Sequence, residues 1–186
     1  IIGLTIITPI VTCYILYDWD KIKSYLINLI PKNQKKSLDL KIMRIDSVLS
    51  SFFRGKFIIS LFLIIYYSTL LSLINLEGAF SIGSIIGVLS FIPYLGTILG
   101  LILALSFSIL QMGSFIIIAY ILIIFILGQI IESYILEPKF ISKNVGLHPL
   151  VGMFMIIAGG AAFGIIGVLL AIPVAAVLAV ILFEKE

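Results

Sequence analysis

Apolar residues run almost without interruption along five stretches of the chain, and the stretches differ in whether anything breaks them. Residues 57–76 (FIISLFLIIYYSTLLSLINL) and 113–136 are long and unbroken, and each predicts a membrane-spanning helix. Residues 1–17 are just long enough for another span, with a kink at Pro9 and Trp19 marking the membrane–water boundary. Stretches 81–111 and 150–182 are equally apolar but interrupted, the first at Pro93-Tyr94-Leu95-Gly96 and the second at AGGAAFG, positions 158–164. A short repeat accompanies the interruptions: IIGVLSFIP from position 85 and IIGVLLAIP from position 165, each ending in proline (Pro93 and Pro173).

Between the first two spans the pattern changes to a helical one. Leu38, Ile42, Ile45, Leu49 and Phe52 recur at helical spacing, with Asp39, Lys41, Arg44, Asp46, Ser50 and Ser51 on the other side and Ser37 able to cap the start. This predicts an amphipathic helix in the headgroup plane or, alternatively, a solvated connector. The charges sharpen the reading. Nine of the twelve Lys and Arg lie between positions 21 and 56, and from 57 to 131 the only charged side chain is Glu77. With 62% hydrophobic and 11% charged residues, no soluble core could hide the apolar side chains, so the solvent is lipid. The basic balance describes one segment, 18–56, facing an anionic membrane surface rather than nucleic acid. Arg44 and Arg54 are expected to contact phosphate headgroups. Ile1 already lies in an apolar segment, with no basic region before it; this is not a signal peptide and reads as a chain that starts in mid-helix, part of a longer protein.

Sidedness decides what the broken stretches are. With 18–56 cytoplasmic, span 57–76 leads outward. If 81–111 crossed once, 113–136 would carry Lys139 and Lys143 outside; if it folds back at 93–96, they return to the cytoplasm. The charge rule prefers the hairpin. Length agrees, because the leg 81–92 makes about 18 Å of helix at ~1.5 Å per residue against a hydrocarbon core of ~30 Å. By the same reasoning 150–182 is a second broken hairpin, turning near 159–164. The expected fold is therefore all-α: a single polytopic transmembrane domain with two Gly/Pro-broken, re-entrant-like hairpins and one interfacial helix.

Backbone freed from intrahelical hydrogen bonds cannot face lipid, so a break persists where protein covers it or where it lines a watery cavity. Paired broken helices point to a solute site near the midplane. The competing reading is that small residues simply let helices pack closely.

Several runs then resemble one family. FIPYLG at 91–96, Glu132-Ser133-Tyr134-Ile135-Leu136-Glu137-Pro138 followed by VGLHPL at 145–150, and the ending GG-AAFG-IIG-VLLAIPVAA are similar to the autoinducer-2 exporter (AI-2E, PerM-like permease) family, as are DWDKI and the helix ending in Arg54-Gly55. The resemblance covers essentially the whole chain and corresponds to the C-terminal half of such a protein. It implies a multi-pass protein of the cytoplasmic membrane that forms homo-oligomers and exports a small polar solute such as autoinducer-2; some members resemble sodium–proton antiporters, which would make Na+ and H+ partners. This chain departs from the family pattern at Lys56 (usually Gln), Thr97 (usually Pro) and Ala161 (often Glu), the last removing a carboxylate from the second hairpin.

The candidate solute or ion path is Pro93, Tyr94, Gly96, Gln129, Glu132, Gly159, Gly160, Gly164 and Pro173. Glu132, an ionisable group within a span and one turn from Gln129, is either the coupling or gating group or an interfacial anchor. Glu137 reads as a boundary charge, and His148 carries a weaker gating or pH-sensing expectation. One His and one Cys (Cys13) allow no metal cluster or internal disulfide, no phosphate-binding loop occurs, and no enzyme activity or cofactor is expected. The alternatives to a solute exporter are a sodium–proton antiporter and a non-transporting membrane scaffold.

Overall fold

The computed structural model describes residues 32–111, 115–142 and 149–183, together with Tyr14, Tyr17, Asp18 and Lys21. Span 1–17 (apart from its two tyrosines), Asn144 and His148 fall outside the described residues. The described residues form helices and turns, with no strand among them. The chain divides after Arg44 into an N-terminal unit and a larger one, Ile45–Lys185. In the first, the Asp18 amide donates to the Tyr14 carbonyl at 3.0 Å and Lys21 pairs with Asp18 at 2.8 Å on an exposed surface.

Helix α1, Lys32–Leu73, starts directly after Pro31 and meets no further proline, so the amphipathic stretch and the apolar stretch behind it form one uninterrupted helix. From Val48 its buried positions recur every three or four residues: Val48, Phe52, Lys56, Ile59, Leu63, Tyr67 and Leu71. The helix stops in a Schellman turn. Asn75 takes a left-handed conformation (φ 57), its amide bonding the Ser72 carbonyl and the Leu76 amide reaching back to Leu71, while the Leu76 side chain is buried.

Helices α2, Ala79–Leu89, and α3, Leu95–Gln111, form the first hairpin. α2 cannot continue because Pro93 lacks an amide hydrogen and its ring would meet the carbonyl one turn back. Tyr94 supplies the reversal at φ 63. The fold-back is direct: a Cβ on Gly96 would collide with the Ile86 carbonyl, and one on Gly100 with the Ile86 side chain. Gln111 closes the base, accepting from the Glu77 amide at 3.0 Å and donating to the Asn75 carbonyl at 3.1 Å. The hairpin thus begins and ends at the same end of α1.

Helix α4, Phe115–Ile131, runs back along α1 and widens into π-helical turns over Glu132–Leu136 and Pro138–Ser142. The Glu137 amide bonds the Glu132 carbonyl across five residues, the spacing of a π-turn. Pro138, lacking its own amide hydrogen, follows directly. Gly55 of α1 lies so close to the Phe140 carbonyl that no side chain would fit between them, which puts this end of α4 beside the start of the buried part of α1. Ile59, Leu63, Tyr67, Ile82, Ile86, Ala104, Ile121 and Phe125 form the core where α1 to α4 meet.

Helix α5, Pro149–Phe183, is two arms joined at Gly164, whose backbone (φ 62, ψ −142) is open to glycine but strained for other residues. In a straight helix Gly159 and Gly167 would lie about 12 Å apart; here their backbones touch, so the arms fold back on each other. The second arm packs Ala176 and Val180 against Val48 of α1. Pro173 lies buried inside that arm and does not end it. The two IIGV copies are used differently: the first runs into its hairpin tip, the second runs away from its own.

Candidate functional site

The tips of the two hairpins meet. Pro93, Tyr94, Leu95 and Ile98 of the first and Gly160, Gly164, Ile165 and Val168 of the second line a shared cavity of about 420 Å³. Its lining is mostly aliphatic, and among the described lining residues Tyr94 alone has a side chain with a polar group. The first hairpin comes from the Asn75 end of α1, and the second packs its arm at the Val48 end. They therefore approach the cavity from opposite ends of α1. The glycine-rich interruption and the proline-tyrosine turn, about seventy positions apart in sequence, become neighbours here. Of the candidate path residues, Pro93, Tyr94, Gly160 and Gly164 share this cavity. Gly159 instead lines an apolar groove between the arms of α5 (about 560 Å³), and Gly96 is packed against α2. Pro173 lines neither cavity.

Behind the first tip lies a polar cluster on the facing sides of α1 and α4. The Lys56 ammonium, on a side chain only 1% exposed, donates to the Ser90 carbonyl at the end of α2 and pairs with Glu137 Oε1, each at 3.1 Å. Ser60, one turn further along α1, donates to the Gly87 carbonyl at 2.7 Å, and Ser90 Oγ donates to the same oxygen at 2.7 Å. Glu132 is 7% exposed, and the charges acting on it are Lys56 and Glu137. Its burial follows from register, since Ile121, Ile124, Phe125, Gly128, Glu132 and Leu136 form the inward stripe of α4 and its π-turn. Gly128 lets the Tyr67 hydroxyl approach α4 one turn before Glu132, and that hydroxyl has no hydrogen-bond partner among the described residues. Gln129 donates to Ser133 Oγ at 2.9 Å and is only partly buried, so the two polar residues of this turn face different surroundings.

The first tip joins the two regions: the Ser90 carbonyl accepts from Lys56, and Pro93 and Tyr94, a few residues on, line the cavity. A buried ammonium demands such partners, because an unpaired ion costs several kcal/mol to desolvate. Reading the sequence alone assigned Lys56 to the basic surface stretch. The signal that could have found it is its place on the stripe Phe52, Lys56, Ile59, Leu63, where a charge is unexpected. Tyr67 follows from the same stripe.

Helices long and apolar enough to cross a membrane occur at Asp39–Leu73, Phe115–Ile141 and Leu150–Ile181, the last containing the Gly164 reversal. With the two broken hairpins, this is the architecture of a polytopic membrane protein. The chain belongs to the AI-2E transporter family, whose pattern it matches over residues 2–185. It is 30% identical over 176 residues to "Putative transport protein YrrI" of Bacillus subtilis (strain 168), covering 95% of this chain and 49% of that protein. It is 28% identical over 178 residues to "Putative transport protein YueF" of the same organism, covering 95% and 47%. The chain thus spans about half the length of these relatives.

Proposed function

We propose that this chain builds the solute path of a secondary transporter of the cytoplasmic membrane, a permease that exports a small polar solute such as autoinducer-2. The observation that carries the reading is the meeting of two helix breaks around one cavity, with the buried Lys56, paired to the partly exposed Glu137, and the buried Glu132 behind the first break. Helix ends inside a bilayer present backbone dipoles that can hold a polar solute without a fixed charge on the solute. In this arrangement both hairpins dip into the membrane without crossing it. The basic face before Lys56 rests on the cytoplasmic leaflet, and the working protein is a homo-oligomer.

Glu132 is the coupling or gating group in this proposal. A carboxylate buried between α1 and α4 is the kind of group that titrates or repairs its partners as helices shift. The same feature favours the second reading, a sodium–proton antiporter. Against both stands a membrane scaffold without transport, which draws support from glycines at helix contacts: Gly83 and Gly87 lie against α1, and Gly167 against Gly159.

The test is transport by the full natural chain in proteoliposomes, following autoinducer-2 efflux and sodium-driven proton movement in parallel. Wild type should release the solute, and Glu132→Gln should do so at least about tenfold more slowly, the effect of ~1.4 kcal/mol on the limiting barrier. Proton movement without solute efflux would favour the antiporter. Folded protein that moves neither would favour the scaffold.

A further inference from the structure

We infer that the Lys56 ammonium is a tethered resident cation, filling a monovalent-cation site formed by the end of the first hairpin's inbound helix and Glu137. The inference deepens the transport reading, because it assigns the cation dependence of the same region.

Three observations converge on this. The first is the acceptor. Ser90 caps α2, and the chain turns out of the helix at Pro93 and Tyr94 (φ 63), so this carbonyl is left at the negative end of a helix. Carbonyls freed at such breaks are the groups that coordinate Na+ in broken-helix transporters generally. The second is the occupant: Lys56 Nζ sits 3.1 Å from that carbonyl and 3.1 Å from Glu137 Oε1, and the lysine is almost wholly buried. A lysine ammonium is a compact point charge with three rotatable donors, close in role to a partly dehydrated alkali ion. The third is the charge balance around it. Glu137 Oε1 and the Ser90 carbonyl both face the one ammonium, so removing it leaves a carboxylate and a helix-end carbonyl without the cation they share. Lys56 also lies in α1 whereas Ser90 and Glu137 lie in α2 and beyond α4, so the resident cation ties three elements together, as a bound ion would.

The experiment is a melting series on the full natural chain in detergent at constant ionic strength, comparing NaCl, KCl and N-methyl-D-glucamine chloride. Wild type is expected to melt at the same temperature in all three. Lys56→Gln, which removes the charge and keeps a polar side chain, should melt lower in N-methyl-D-glucamine chloride and regain stability saturably with Na+ or K+, by about 2–5 °C at ten times the dissociation constant. Glu137→Gln keeps the ammonium on Ser90 and should show no cation response. A saturable, alkali-specific rise in wild type would overturn the inference, because it would mean a site not filled by lysine. So would a folded Lys56→Gln that ignores all three salts, or a cation response in Glu137→Gln. If Lys56→Gln does not fold, Lys56→Met, which removes the charge and keeps the apolar stem, takes its place in the same series with the same expected and overturning results. The readout is stability, so a protein that moves no solute can pass this test, and one that moves solute can fail it.

Discussion

Among single residues, Gly164 and Gly152 separate two roles that glycine plays in the second hairpin. A Cβ at either position would meet nothing within 4 Å, so crowding does not distinguish them. Backbone conformation does. Gly164 sits at φ 62, ψ −142, where any other residue is strained by about 1–3 kcal/mol. Gly152 lies within a helical arm, where alanine is favoured over glycine by roughly 0.5–1 kcal/mol. Gly164→Ala should therefore lower the unfolding midpoint of the purified full chain, and Gly152→Ala should leave it unchanged or raise it. Equal midpoints for the two variants would rule out a reversal at Gly164. Lys56 shows why the residue scale was the least legible in the sequence. Charge and neighbourhood argued for a surface, helical register argued for the interior, and register won because Ser90 and Glu137 supply the partners that make burial tolerable. For Glu132 the sequence left an interfacial anchor open beside a coupling group, because the residue lies near the end of its span; its burial follows from its place on the inward stripe of α4 and its π-turn.

At the scale of elements, hydropathy made the apolar segments and both interruptions visible, since an uninterrupted span and a Gly/Pro-broken one look different without any tertiary knowledge. The use of each proline was not visible. Pro93 ends a helix and Pro173 does not, although their flanks are nearly identical, because the second reversal is taken by Gly164 upstream and the arm containing Pro173 is held by packing at Ala171, Ala175 and Ala176. The shared glycine of the repeat is a contact residue in both copies: Gly87 touches Ser60 and Ile64 of α1, and Gly167 touches Gly159. The close-packing explanation thus accounts for these glycines and leaves the tips themselves unexplained, since Tyr94 and Ile165 line a cavity instead of a contact. If that cavity is part of a water-filled path, cysteines placed there in a Cys13→Ser background should react with a water-soluble thiol reagent in membrane vesicles. Tyr94→Cys and Ile165→Cys are expected to label and to be slowed by transported solute, whereas Ala104→Cys, in the four-helix core, should stay unlabelled. Tips as unreactive as Ala104→Cys would return the hairpins to a purely structural role.

For the whole molecule, the hydrogen bonds and close contacts constrain the path of the chain before any membrane is considered. α1 leaves Gly55 and ends at Asn75; the first hairpin starts beside Glu77 and finishes at Gln111, which bonds both Asn75 and Glu77. α4 then returns to the starting end, where Phe140 touches Gly55 and Glu137 pairs with Lys56. In the proposed arrangement, a chain that goes out along α1, dips and comes back, and returns along α4 crosses twice in spite of its four apolar helices. The lysine distribution asks for the same thing independently, since the positive-inside rule wants Lys139 on the side of the basic stretch. A single crossing by 81–111 would satisfy neither the Gln111 bonds nor the charge rule. Sidedness in intact cells is therefore the prediction that ties geometry to membrane. With a membrane-impermeant thiol reagent, Lys41→Cys and Lys139→Cys should both be protected until the membrane is opened, and Glu77→Cys should label from outside. Labelling of Lys139→Cys from outside, with Lys41→Cys still protected, would mean that 81–111 crosses the bilayer. The cavity between the tips would then lose its place as a meeting point of two half-membrane hairpins.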